Sequence, residues 1–362
     1  FKDVDKTMLD EEHIDPDEYY FRFNYEFDRN YHYSINFAVK KGGEPDERIY
    51  KEQEYLIGFF LLRLLANHFY HLNQCLLINY KPKLQFLDEI IDFIRKNPNY
   101  LDNPLINISL HKVLLLRELN DEYYYKLRDV FYEEVDNLNT ADKYNTLSIL
   151  INYCQRAYLN CGSTEYLREK LNVLKFALDN KIHSFREGEY FSEGKFRNIV
   201  STASAIEEFE WVNNFMEKYE KLLDPAIRAD TISMCRALVA FEKGEFENAL
   251  KQLNIIQVLN DVNSKMNLKL LYLMIFYELN WTEQALSLSD SFRHLIAKDT
   301  LMPENPKESI KNFLNRYNRL LKLRINFDPE KYSGVLSELQ KTGNTANRNW
   351  LLKKAIELNN ND

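Results

Sequence analysis

Glycine is scarce: the chain has 9 in 362 residues, about a third of the usual share. Proline is equally rare, also at 9. Few positions are therefore left for tight hairpins or phosphate-cradling loops. This argues against an all-β fold and against a nucleotide-binding α/β fold. Cysteine occurs only at 75, 154, 161 and 235. Four thiols are too few to staple a chain of this size, and none forms a C-x-x-C pair. They read as reduced, mostly buried thiols of a cytoplasmic protein. Long apolar runs are missing too. The longest, Leu56 to Leu62, is stopped by Arg63, well short of the ~20 residues of a membrane helix. No five like charges stand in a row, and no polybasic membrane segment is present.

What is there is a globular composition, 45% apolar and 28% charged, enough for a large core. The net charge is −8. Duplex binding needs a concentrated basic footprint, so a nucleic-acid partner is not expected, nor is a membrane. The chain opens at Phe1 rather than Met, and the expectation is a piece of a longer protein. Residues 1–15 are acidic and poor in large apolar side chains, with Asp3, Asp5, Asp10, Glu11, Glu12 and Asp15, and read as a tether.

The stretch Tyr19 to Val39 fits two periods. Phe21, Phe23, Tyr25 and Phe27 alternate as in a strand. Tyr20, Phe23, Phe27, Tyr31 and Ile35 form a helical stripe. Asp28-Arg29-Asn30 is a poor hairpin turn without glycine. Asp15-Pro16-Asp17-Glu18 is a good helix start, and Gly42-Gly43 supplies a stop. One aromatic-rich helix over 16–42 is expected, packed on the helices that follow or on an upstream part.

Every later segment is helical by period. The pattern gives helices over 50–79, 84–97, 104–118, 121–137, 141–160 and 164–179. A loose stretch around His183 to Gly194 follows. Further helices are expected over 195–206, 208–222, 226–243, 245–258, 264–279, 281–297, 307–324, 328–340 and 346–358. Pro225, Pro303, Pro306 and Pro329 fall at the joints. No domain linker is evident after residue 50.

The helices carry a degenerate repeat of about 36 to 37 residues, seen when Ala249 is placed on Val212 and on Ala285. Phe246 then falls on Phe209 and Glu247 on Glu210; Leu250 falls on Leu286. Glu118-Leu119-Asn120 shares its pattern with Glu278-Leu279-Asn280, and Leu159-Asn160 is a partial copy. A small residue such as Ala249 lets two helices approach closely. An aromatic such as Phe246 fills the turn. Residues 244, 280, 120 and 160 are expected to take the positive φ that ends a helix. A single pair cannot bury its apolar face alone, so pairs are expected to stack.

This pattern resembles the tetratricopeptide repeat, whose period is about 34 residues. Ala237, Gly244, Phe246 and Ala249 occupy its small, turn, aromatic and small positions. Ser233, Arg236 and Ala240 depart from it. The stretch Tyr50 to Leu358 is also similar to a group of uncharacterised bacterial helical-repeat proteins, through Glu208-Phe209-Glu210-Trp211-Val212, Asp290-Ser291-Phe292-Arg293 and Trp350-Leu351-Leu352. The resemblance implies an all-α solenoid of antiparallel helix pairs over 50–358.

Motifs for catalysis are near misses. Gly188 to Phe196 has five residues between its glycines and a Phe after Lys195, where a phosphate loop needs four and a Ser or Thr. His68, His71 and Cys75 share a helical face and suggest the start of a zinc site. No fourth ligand is evident, and Leu64, Leu65, Phe69 and Leu72 around them read as core. Cys154 and Cys161 would stand ~10.5 Å apart along one helix, too far for a disulfide, and are expected in the core. No metal or cofactor is expected. Aromatics at 14% recur at helical spacing and read as packing rather than as a base-stacking surface.

One functional pattern remains. Arg156 and Arg236 take similar places on the first helices of two pairs, and Arg316 and Arg319 lie on a later one. In tetratricopeptide arrays the first helices line the concave groove. Guanidinium groups there would grip an acidic segment of a partner by bidentate hydrogen bonds. The alternative is pairing with acidic residues of neighbouring helices. The expectation is a non-enzymatic scaffold that binds a protein or peptide. The alternatives are a regulatory peptide sensor with its output domain upstream of Phe1, a helical enzyme with a dispersed site and, more distantly, an RNA-binding helical repeat.

Overall fold

The computed structural model describes residues 16–36, 47–77, 81–182, 188–257, 262–299, 302–341 and 343–360. Among them are sixteen α-helices, three short 3-10 turns and no strand. The protein is all-α. Its chain divides into two compact units, 1–153 and 154–362, and the division falls inside a helix, where the sequence offers no linker.

The first unit holds α1 (Pro16–Asn36), α2 (Glu47–Leu77), α3 (Leu87–Lys96), α4 (Pro104–Glu118), α5 (Asp121–Glu133) and the start of α6 (Thr140–Cys161). The aromatic segment is one helix, α1, and it packs on α2. The Tyr19 ring lies over Gly58, in the space a Cβ would need, and the Tyr19 hydroxyl accepts a hydrogen bond from Asn103 at 3.2 Å. Arg63 pairs with Asp17, and Asn30 donates to Glu52 at 2.7 Å. The core of this unit joins α2, α3 and α4 through Leu61, Leu65, Ile94, Ile106 and Val113. The expected stop at Gly42-Gly43, the cap at Asp15 and the acidic stretch 1–15 lie outside the described residues.

The second unit continues with α7 (Thr164–Asp179), α8 (Glu193–Ser204), α9 (Phe209–Tyr219), α10 (Arg228–Glu242), α11 (Phe246–Asn254), α12 (Val262–Glu278), α13 (Thr282–Lys298), α14 (Glu304–Ile325), α15 (Pro329–Gln340) and α16 (Arg348–Asn360). Consecutive helices from α7 to α9 and from α10 to α16 pack as neighbours, and α10 also packs on α8 and α12. Ala237, Ala249 and Ala285 are fully buried between helices, as the close approach of paired helices requires. Phe241 meets Phe246 across one turn at 5.6 Å, and Phe276 meets Trp281 across the next at 5.8 Å.

The repeat is clearest in its turns. Glu207, Gly244 and Asn280 all have left-handed backbones. After each, the next amide bonds back five residues: Glu208 N to Ala203 O at 3.0 Å, Glu245 N to Ala240 O at 2.8 Å, and Trp281 N to Phe276 O at 2.9 Å. This is the Schellman closure of a helix. These three keep the 36 to 37 residue spacing read in the sequence; the same closure at Lys181, where Ile182 N bonds to Ala177 O at 2.7 Å, falls outside that spacing.

Two expected turn positions are corrected. Asn120 is extended at φ −121° and caps α5, accepting from Tyr123 N. The left-handed residue is Leu119, at φ 49°. Asn160 is helical, and Gly162 takes the positive φ. In both places the helix ends one or two residues away from the Asn, because a side-chain cap or a nearby Gly offers the better stop. Other boundaries shift as well. The expected helix 84–97 begins at Leu87, 121–137 and 208–222 finish in 3-10 turns, and Pro306 lies in the first turn of α14 rather than at a joint. There its missing N–H costs nothing.

Candidate functional site

In the second unit α10 packs on both α8 and α12, and the four candidate arginines lie on α6, α10 and α14. Arg156 on α6 is half-buried and Arg236 on α10 is exposed. Neither makes a hydrogen bond or an ion pair among the described residues. Arg236 projects from a helix whose neighbouring Cys235 and Ala237 are fully buried, so its direction is fixed by the core behind it.

Arg316 and Arg319 are placed differently. Both lie on α14 and both turn to Glu338 on α15, Arg316 at 3.8 Å and Arg319 at 2.8 Å. Arg316 also donates to Thr345 at 3.0 Å. Their charge is answered inside the fold. For these two arginines the structure shows the pairing with an acidic residue of a neighbouring helix that stood as the alternative.

A different constellation occupies this region, built around α16. Trp350 stands edge-on to Tyr277 at 5.3 Å and stacks with Tyr317 at 6.3 Å. Its indole Nε1 donates to Glu278 at 3.0 Å. Lys354, one turn further on, meets the same Glu278 oxygen at 2.8 Å and Glu357 at 2.7 Å. Leu351 and Ala355 are fully buried beside them. At the start of the helix, Arg348 donates to Gln340 O at 2.9 Å and to Leu159 O at 3.5 Å. The second of these bonds links α16 to α6, 189 residues earlier. A strictly nearest-neighbour stack makes no such contact.

The electrostatics of this seat are consistent. Leu159, Glu242, Tyr277 and Glu278 all lie at or near the C-terminal ends of α6, α10 and α12, where the helix dipole is negative. Arg324 adds a hydrogen bond to Tyr277 O and stands 4.7 Å from the centre of the Tyr277 ring. Burial works against the charge on Lys354, but hydrogen bonds to Glu278 and Glu357 outweigh it and hold its pKa above the usual value. Burial pushes Tyr277 up to about 12, with Arg324 opposing. Desolvation by the protein around it raises the pKa of Glu242, and Lys353 of α16 pulls the other way.

Two further ionisable groups are deeply buried. Lys170 donates to Gln155 at 2.7 Å and to Asn198 at 2.6 Å. Lys112, in the first unit, stands over the Phe69 ring at 5.9 Å and makes no hydrogen bond among the described residues. Burial lowers both to about 8.

The remaining candidates resolve into structure. Among the described residues no three His, Cys, Asp or Glu side chains gather as a metal site. His68 is buried, and burial lowers its pKa. The Cys75 thiol donates to His71 O at 3.2 Å. Gly188 to Phe196 runs into α8, with Phe191 and Phe196 buried and packed edge to face at 5.5 Å. Cys154 is buried, but Cys161 is exposed, which corrects its expected place in the core: α6 ends there and its last turn faces solvent. No described helix is long and apolar enough to cross a membrane. No family model, curated protein or solved structure matches the chain.

Proposed function

We propose that the second unit is a tetratricopeptide-like helical-repeat scaffold that binds a protein or peptide partner on the face of its first helices, in the cytoplasm, by contact and not by catalysis. The observation that carries the reading is the turn repeated at Glu207, Gly244 and Asn280. Equivalent turns give successive pairs the same geometry, which sets first helices next to one another and leaves a continuous surface between them. Repeat surfaces of that kind serve as platforms for extended or helical ligands.

Arg236 and Arg156 are the contacts proposed for an acidic segment of the partner. Arg316 and Arg319 are not, since both serve Glu338. The test is affinity capture from source-cell lysate with the chain and with an Arg156→Ala/Arg236→Ala variant whose far-UV circular dichroism is unchanged. A partner lost by the variant supports the reading. A partner kept by both discards the two arginines, and no partner at all counts against the scaffold.

A further inference from the structure

The first unit carries a convex and a concave apolar surface side by side. On α1, Tyr20, Phe27 and Tyr31 follow one another at seven and four residues, which puts them on one helical face. On α2, Ile49, Leu56 and Phe60 share a face by the same spacing. Contacts along one flank tie these two faces together. Tyr20 meets Phe59 at 5.4 Å, Arg63 pairs with Asp17, and Asn30 donates to Glu52 at 2.7 Å. The rings of α1 therefore form a ridge beside the open stripe of α2. On the other side of that stripe, α2 and α3 enclose a pocket of about 310 Å³ lined by Ile57, Phe60, Phe86, Ile90 and Phe93. Glu89 lines it as well and is exposed. Phe86 holds a left-handed backbone at φ 63°, which a bulky side chain disfavours, and its ring stands exposed beside the pocket.

We propose that this face pairs two copies of the chain about a two-fold axis, with the α1 ridge of each copy set into the α2–α3 pocket of the other. The area fits. Tyr20, Phe27, Tyr31, Ile49, Leu56, Phe60 and Phe86 are each between 45% and 64% exposed. At about 200 Å² for each side chain, they leave about 700 Å² of apolar surface in water. That exceeds the ~300 to 600 Å² of the largest patch on a typical monomer. It comes close to the ~800 Å² that each partner gives to a stable interface. The shape fits as well. A two-fold pair brings the same patch together from both sides, so each element must meet its complement on the other copy. A ridge and a pocket on one face meet that requirement twice. The charges along the flank are answered within the unit, Arg63 by Asp17 and Glu52 by Asn30. The ridge and stripe themselves carry no charged side chain, so they favour a partner like themselves over one of opposite sign. The proposal concerns the first unit and does not rest on the scaffold reading of the second.

Sedimentation equilibrium of the full chain tests it. The wild type is expected at twice its 43.3 kDa. Phe27→Lys, on the ridge, and Phe60→Glu, at the pocket, are each expected to weaken the dimer at least tenfold, with far-UV circular dichroism unchanged. An equimolar mixture of the two variants is expected to dimerise again. In the mixed pair one ridge-to-pocket contact is wild type and the other sets Lys against Glu. A monomeric wild type, a dimer that neither substitution weakens, or a mixture that stays monomeric overturns the proposal. A monomeric chain that captures a different protein, lost in Phe60→Glu, also overturns it and gives the face to that protein.

Should a variant lose its helical signal, hydrogen exchange of the wild type at low and high protein concentration decides. Amides of α1 and α2 are expected to exchange more slowly at high concentration, while those of α14 stay the same. Exchange independent of concentration in α1 and α2 overturns the proposal.

Discussion

The first and last described helices, α1 and α16, both lie across other helices of their own unit, yet they are held by different chemistry. On α2, α1 is held by the Tyr19 ring over Gly58 and by rim pairs such as Arg63 with Asp17. Much of its aromatic surface stays outside: Tyr20, Phe21, Phe27 and Tyr31 are all exposed. Tyr20 still meets Phe59 of α2 at 5.4 Å, while Phe21 keeps most of its ring in solvent. In the second unit, α16 buries Leu351 and Ala355 completely and places one shared carboxylate between its indole and its ammonium. Aromatic content alone therefore says little about how firmly a helix is seated. What decides is whether the rings meet a shaped surface and whether the polar tips find partners.

The widest expected gap in that comparison is between Trp350→Ala and Phe21→Ala. The first empties an aromatic wall and leaves Glu278 with one donor fewer. It is expected to cost about 3 to 5 kcal/mol in the denaturant transition of the second unit. Phe21 is 61% exposed, and its removal is expected to stay within about 0.5 kcal/mol. Equal costs would erase the distinction. Next in size is Gly58→Ala. Helix propensity favours the change by about 1 kcal/mol, but the new Cβ lands on the Tyr19 ring. A net loss of about 1 to 3 kcal/mol is expected, with α1 becoming accessible to limited proteolysis while the second unit keeps its transition.

The two buried lysines sharpen the contrast between the units. Both sit at about 8 in the folded chain, below the ordinary value near 10.4. Below pH 8 each is charged in the folded and unfolded chain alike, and its burial cost is fully present. Between about pH 8 and 10.4 the folded chain has released the proton and the unfolded chain still binds it, so stability rises with pH across that window. Lys112→Met is expected to stabilise the first unit at pH 7 by about 1 to 3 kcal/mol and to flatten the rise. Lys170→Met is expected to gain nothing, because Gln155 loses its donor, a loss of about 1 to 3 kcal/mol for an orphaned acceptor, and Asn198 Oδ1 keeps only the Thr202 hydroxyl at 3.2 Å. Thermal melts of both variants from pH 7 to 10 check this. A small gain belongs to Leu119, which holds φ at 49° with a side chain that disfavours it. Leu119→Gly is expected to raise the melting temperature, by about 0.5 to 1 kcal/mol of stability.

Local signals in the sequence carried the helices well. The periods that put helix starts at 104 and 164 agree with the structure, where Asn103 and Ser163 cap helices beginning at Pro104 and Thr164. The turn repeat was legible at Gly244 and Asn280, because those residue types advertise a left-handed backbone. It was hidden at Glu207 and Leu119, which adopt that backbone under tertiary constraint and against their own preference. The candidate site was legible only in part. Arg236 is exposed on α10, while the pairing of Arg316 and Arg319 with Glu338 depends on how α15 lies against α14. The seat of α16 depends on residues 72 and 189 positions away, and no local pattern encodes such a contact. Trp350-Leu351-Leu352 was visible as a motif, while its destination was not.

Cys161 is the exposed one among the four free cysteines, and it stands two residues beyond the carbonyl that Arg348 contacts. The chain therefore carries its own attachment point for a maleimide dye at the junction of α6 and α16. In a Cys75→Ser background, with the other two thiols sealed in the core, one label at Cys161 turns the seating of α16 into an optical signal that can be followed in real time.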